Sequence, residues 1–124
     1  IRENVEMIGA VPEARRSELF AGARVLMMPS RFEGFGMVAA EAMAAGVPVV
    51  AADAGSLPEV IDPPNGGVLF PVGNARELAA AVARLLDDAP ARRRLSQSAR
   101  VSAQRFRWGV VAEQHLAFLE SVLE

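Results

Sequence analysis

Four short apolar runs, Val5 to Ile8, Val25 to Met28, Val47 to Ala51 and Val68 to Phe70, alternate along the chain with stretches of helical periodicity. Strands separated by helices return in the same direction, so the alternation predicts an α/β fold: a parallel sheet with helices packed against it. The run Arg24-Val-Leu-Met-Met28 lacks the polar alternation of a half-exposed strand and stops at Pro29-Ser30. It reads as a strand buried on both faces. A first helix is expected from Ala14 to Gly22, with Leu19, Phe20 and Ala21 supplying its apolar stripe. Asn74 followed by Glu77 predicts a capping box opening a helix on which Leu78, Val82, Leu85 and Leu86 recur at helical spacing. Two more helices are expected, from Ala91 to about Phe106 and from about Trp108 to Leu123. Asp62-Pro63-Pro64-Asn65-Gly66-Gly67 reads as a loop, since its prolines lack donors and its glycines favour turns.

At 124 residues and 52% hydrophobic, the chain has the length of one domain with a core. A net charge of −2, with no basic stripe interleaved with aromatics, argues against nucleic acid as a partner. With no cysteine present, disulfides and thiolate sites are excluded. No apolar segment approaches the roughly 20 residues that span a bilayer and no signal-peptide pattern opens the chain, so a cytoplasmic location is the default expectation.

The chemistry concentrates in Glu33-Gly34-Phe35-Gly36-Met37-Val38-Ala39-Ala40-Glu41, where seven residues separate two acids. The segment leaves the Val25 to Met28 strand, crosses a loop with two glycines and enters an alanine-rich helix. Gly34 and Gly36 remove side chains where a ligand must approach the backbone, and the first helical turn leaves N–H donors unsatisfied. An anion there gains roughly 0.3 to 2 kcal/mol from the helix dipole in addition to direct hydrogen bonds. Glu41, one turn beyond Met37, is placed to accept two hydroxyl hydrogen bonds from a ribose, each worth about 1.5 to 3 kcal/mol to a charged acceptor. Without the glycine loop and flanking strands, two such acids would be read as a dipole partner and a solvated face.

The segment from Pro29 to Val50 resembles the signature of the retaining, nucleotide-sugar-dependent glycosyltransferases of family four, in which two Rossmann-like domains face a cleft (the GT-B fold). Similar blocks follow in order along the chain: Val5 to Val11 around Gly9, Pro29-Ser30, Glu33 to Glu41, Ala44 to Val50, Gly55-Ser-Leu-Pro-Glu59 and Gly67-Val-Leu-Phe70. The resemblance implies that residues 1–124 are part of a C-terminal, donor-binding Rossmann-like domain. It makes Glu33, expected on hydroxyls of the donor sugar, the candidate catalytic residue. The backbone from Gly34 through Phe35 and Gly36 to Met37 would meet sugar and diphosphate, Glu41 would bind the ribose, and the loop after Gly9, through Val11, would border the base. Ser30 and Glu59 complete the candidate binding set. The implied chemistry commonly uses no metal ion and needs no cofactor beyond the nucleotide-sugar substrate.

The resemblance also places an arginine, a lysine and two strands of the same domain upstream of Ile1. Residues 1–124 alone are therefore expected to transfer no sugar. The missing strands would lie between Val5 to Ile8 and Val25 to Met28, and the resulting unpaired edges predict self-association, strand exchange or a rearranged first strand. The apolar face of the last helix, around Trp108 and Phe118, is expected to lack a partner. Two alternatives remain open: a sugar-nucleotide epimerase of the same fold, and a noncatalytic interaction domain that retains it.

The remaining polar and sulfur-bearing residues carry less. His115, the only histidine, lies among Val111, Leu116 and Leu119 and reads as packing or surface. The five methionines read as core filling. All 13 basic residues are arginines, and Arg92, Arg93, Arg94, Arg100, Arg105 and Arg107 cluster near the C-terminus. They are read as a solvated face, with peripheral contact to an anionic membrane surface as the lesser alternative.

Overall fold

Three of the four apolar runs become strands. The computed structural model, which describes residues 2–123, contains β1 (Leu26–Met28), β2 (Val49–Ala52) and β3 (Gly67–Phe70) in one parallel sheet of order β1-β2-β3. Leu26 pairs with Val49 and Met28 with Ala51; on the other side Val49 pairs with Gly67 and Ala52 with Phe70. Central β2 is buried at every position, as its unbroken run of apolar residues requires. Side chains alternate between its faces. Val49 and Ala51 join a core with Met43, Leu57 and Ile61, whereas Val50 and Ala52 join one with Phe70, Ala81 and Leu85. Met43, Leu57 and Ile61 are fully buried, each contributing about 1.5 to 3 kcal/mol by leaving water.

The helices are α1 (Glu13–Gly22), α2 (Met37–Ala44), α3 (Leu57–Ile61), α4 (Ala75–Asp87), α5 (Ala89–Ala103) and α6 (Trp108–Leu123), with 3-10 turns at Arg2–Asn4 and Gln104–Phe106. Helices α2, α3 and α5 build the first core and α4 covers the opposite face. The Asn74 side chain accepts the Glu77 N–H at 3.1 Å, which is one half of a capping box, whereas the Asn74 N–H donates to Pro71 O at 3.0 Å rather than to the Glu77 side chain. Asp88 accepts the Ala91 N–H at 2.8 Å, which starts α5 two residues before the expected Ala91. The last three residues of the expected helix tighten into the 3-10 turn, and Arg107 adopts an extended conformation that separates it from α6. Helix α6 has no buried residue, and Trp108 and Phe118 are both exposed.

Four expectations are corrected. Strand β1 is not buried on both faces: Leu26 is half-buried, Met27 is exposed and only Met28 is buried. Of the five methionines read as core filling, only Met28 and Met43 are buried, while Met7, Met27 and Met37 are exposed. Val5 to Ile8 forms no strand; it lies as coil, with Val5, Met7 and Ile8 exposed. A strand gains stability by pairing its backbone and burying a face, and the sheet that ends at β1 gives this segment neither. The arginines are not one solvated face. Arg92 Nη1 donates to the carbonyls of Leu85 and Leu86 at 2.7 and 2.9 Å, Arg100 Nη2 to Ala45 O at 3.1 Å, and Arg105 Nη2 to Glu59 O and Val60 O at 2.8 and 2.6 Å. Each serves the C-terminal end of an earlier helix, α4, α2 or α3, where orphan carbonyls and the negative dipole end favour a cation. Arg93, Arg94 and Arg107 do remain exposed.

Candidate functional site

Parallel topology puts the C-terminal ends of β1 and β2 side by side, and the loops leaving them meet. The β1 loop carries Glu33 to Gly36, and the β2 loop carries Gly55 and Ser56. Ser56 N–H donates to the Glu33 carbonyl at 3.3 Å, with its hydroxyl at 3.5 Å from the same oxygen. Gly55, at φ +54°, sits so close that a Cβ there would overlap the Glu33 carbonyl oxygen. Gly36, buried and in the left-handed region at φ 93° and ψ 41°, reverses the chain into α2 and lies against Leu57. No side chain caps that helix start, so its first N–H groups remain free toward the loop.

Helix α2 then presents Met37, Ala40, Glu41 and Ala44 along one stripe. This stripe forms one wall of a cleft of about 460 Å³; Phe106, Arg107, Trp108 and Val111 form the facing wall, and Phe35 and Ala103 complete it. Phe35 and Phe106 meet edge to face, with ring centroids 5.7 Å apart. Within the cleft, Glu41 Oε2 is shielded from solvent and accepts no hydrogen bond, although Arg16 Nε of α1 lies 3.2 Å away. The ion pair therefore satisfies charge without satisfying the lone pairs, and a half-exposed pair of this kind contributes at most about 1 kcal/mol.

The structure thus brings Phe35, Met37 and Glu41 together in one cleft, with Glu33, Gly34 and Gly36 in the loop beside it. Ser30, half-buried in the loop after β1, and Val11, half-buried before α1, do not line the cleft. Nor does Glu59, which is exposed on α3. Sequence reasoning missed Phe106, Trp108 and Arg16, because aromatics at a helix junction and one arginine on an exposed helix carry no local signature. Among the described residues no group of three His, Asp or Glu side chains converges as a metal site, and no helix is long and apolar enough to cross a membrane.

A sequence profile of the glycosyl transferases group 1 family matches residues 1–102. The chain belongs to that family. It is 38% identical to the MMP alpha-(1->4)-mannosyltransferase of Mycolicibacterium hassiacum over 99% of its own length and 30% of that protein. It is 43% identical to the D-inositol 3-phosphate glycosyltransferase of Saccharomonospora viridis over 73% of the chain and 21% of that relative. Among solved structures, sucrose-phosphate synthase from Thermosynechococcus elongatus superposes with a TM-score of 0.86 at 33% identity, over 98% of this chain and 31% of that one. The chain therefore spans less than a third of each of these relatives. The α/β parallel fold expected of a GT-B enzyme stands. The group 1 profile ends at residue 102, so the cleft wall formed by Phe106, Trp108 and Val111 lies beyond it.

Proposed function

We propose that residues 1–124 form the donor-binding part, in the C-terminal Rossmann-like domain, of a retaining glycosyltransferase that moves a sugar from a nucleoside diphosphate sugar to an acceptor hydroxyl. The observation that carries this reading is Glu41 Oε2, which is shielded from solvent and accepts no hydrogen bond although Arg16 lies beside it, in a cleft next to a glycine-bearing loop. A ribose diol supplies the donors that this carboxylate lacks. The free N–H groups at the start of α2 receive the diphosphate, and fixed dipoles aimed at charge that grows on the leaving group cost little reorganisation. Glu33, between the diphosphate loop and Gly55, holds the donor sugar's hydroxyls while the anomeric C–O bond breaks, the acceptor oxygen bonds on the same face and the acceptor's hydroxyl proton passes to the departing diphosphate. No metal is assigned a role. Residues 1–124 alone are assigned donor contacts without transfer, because the acceptor must be held by other parts of a whole enzyme.

The reading is tested by titrating UDP, GDP and ADP, free and sugar-linked, into the longest soluble form that contains residues 1–124. Saturable binding that Glu41→Ala weakens, together with a product that keeps the donor's anomeric configuration, supports it. Inversion at the anomeric carbon, or no nucleotide binding by the folded protein, overturns it.

A further inference from the structure

Arg105 lies beyond the residues matched by the family profile and is joined to the signature loop by two routes. Its Nη2 donates to Glu59 O and Val60 O, while its Nη1 donates to Ser102 Oγ at 2.9 Å and to Asp62 Oδ2 at 3.2 Å. Four acceptors set around one planar fork fix the guanidinium in orientation as well as position. The Phe106 ring packs on that plane, 4.6 Å from centroid to Arg105 Cζ, and Phe106 in turn meets Phe35 edge to face. That is the first route. The second runs through α3: Arg105 clamps its last turn, while its first residue, Leu57, abuts Gly36 and the preceding Ser56 N–H binds the Glu33 carbonyl. The loop from Glu33 to Met37 is thus braced on both sides, and both braces end on one side chain.

We infer that Arg105 is a positioning residue for the Glu33 to Met37 loop, acting through Phe106 against Phe35 and through α3 against Glu33 and Gly36. It makes none of the proposed ligand contacts itself. Its effect on donor affinity rests on the proposed function; its effect on the loop does not. Arg105→Lys keeps the charge but replaces the fork with a single ammonium, which cannot hold two carbonyls, a carboxylate and a ring face together.

The test is hydrogen exchange in the longest soluble form, read at amides bonded to the loop: Ser56 N–H, which donates to Glu33 O, and Ala40 N–H, which donates to Gly36 O. Val50 and Ala51 of β2 serve as core references. Arg105→Lys is expected to speed exchange at Ser56 and Ala40 by about tenfold or more while leaving the β2 amides unchanged. Phe106→Leu is expected to speed Ala40, and Phe106→Tyr, which keeps the ring, to match wild type. Unchanged exchange at both amides in Arg105→Lys, or an equal rise in loop and β2, overturns the inference, the latter because it marks general destabilisation. If Arg105→Lys does not fold, the contrast between Phe106→Leu and Phe106→Tyr decides the first route: Leu and Tyr behaving alike overturns it. A parallel titration with UDP, GDP and ADP separates the two readings. If wild type binds no nucleotide the donor assignment fails, while the exchange result still decides the role of Arg105.

Discussion

Replacing Gly55 by alanine tests the junction between the two loops. Gly55 sits at φ +54°, and an added Cβ would overlap the backbone oxygen of Glu33, which cannot swing aside as a side-chain terminus can. A left-handed conformation costs an L-residue roughly 1 to 2 kcal/mol. Pushing Glu33 away also breaks the 3.3 Å bond from Ser56 N–H, worth about 0.5 to 1.5 kcal/mol. Alanine recovers roughly 0.4 to 1 kcal/mol by restricting the unfolded chain, so the net loss is about 2 kcal/mol. Gly73 is the control: it too is left-handed, at φ +77°, but its added Cβ would meet nothing within 4 Å. Gly73→Ala therefore loses only the conformational part, about 1 kcal/mol. Urea unfolding of both variants, with the slope unchanged from wild type, reads the difference directly. Equal losses for Gly55→Ala and Gly73→Ala would refute the contact between the β2 loop and Glu33, and with it the account of how that loop is held.

Arg100→Met, which keeps length but removes the donor to Ala45 O, is expected to cost about 1 kcal/mol in urea unfolding, whereas Arg93→Ala on the same helix stays within about 0.5 kcal/mol. Equal effects would return both to a solvated face. The Asp62 carboxyl is held below the ordinary aspartate range by the hydrogen bond from Asn65 and, more weakly, by Arg105, against an opposing effect of burial. Because its folded value is depressed, its stabilisation is present above the unfolded value of about 3.9 and is lost as pH falls through the folded one. Wild type should therefore exceed Asp62→Asn in stability near neutral pH, with the gap closing at acid pH; a gap independent of pH contradicts this.

Strand β2 was legible because burial on both faces leaves an unbroken apolar run, and β1 and β3, which are only partly buried, likewise fall within one or two residues of the runs at Val25 and Val68. Val5 to Ile8 is interrupted by Glu6, and whether such a segment becomes a strand depends on a neighbour, which is not information in the segment itself. The glycine loop and Glu41 were legible because a strand, a loop and a helix start are local in sequence. The facing cleft wall was not. Phe106 and Trp108 reach it only through packing of α5 on α2, and the pairing of Arg16 with Glu41 spans α1 and α2. Arginine at a helix C-terminus leaves a recognisable pattern only when both lie on one helix. Arg92, Arg100 and Arg105 instead cap helices earlier in the chain, so charge spacing alone suggested a solvated face.

Isothermal titration of UDP, GDP and ADP into the longest soluble form containing residues 1–124, in wild type and Glu41→Ala, tests the central claim most directly. Saturable binding of one nucleotide that Glu41→Ala weakens by about tenfold or more, a loss near 1.4 kcal/mol, is the expected result. Equal affinity in the two proteins would remove Glu41 from the nucleotide site, and absence of binding by folded wild type would contradict the donor-binding assignment itself.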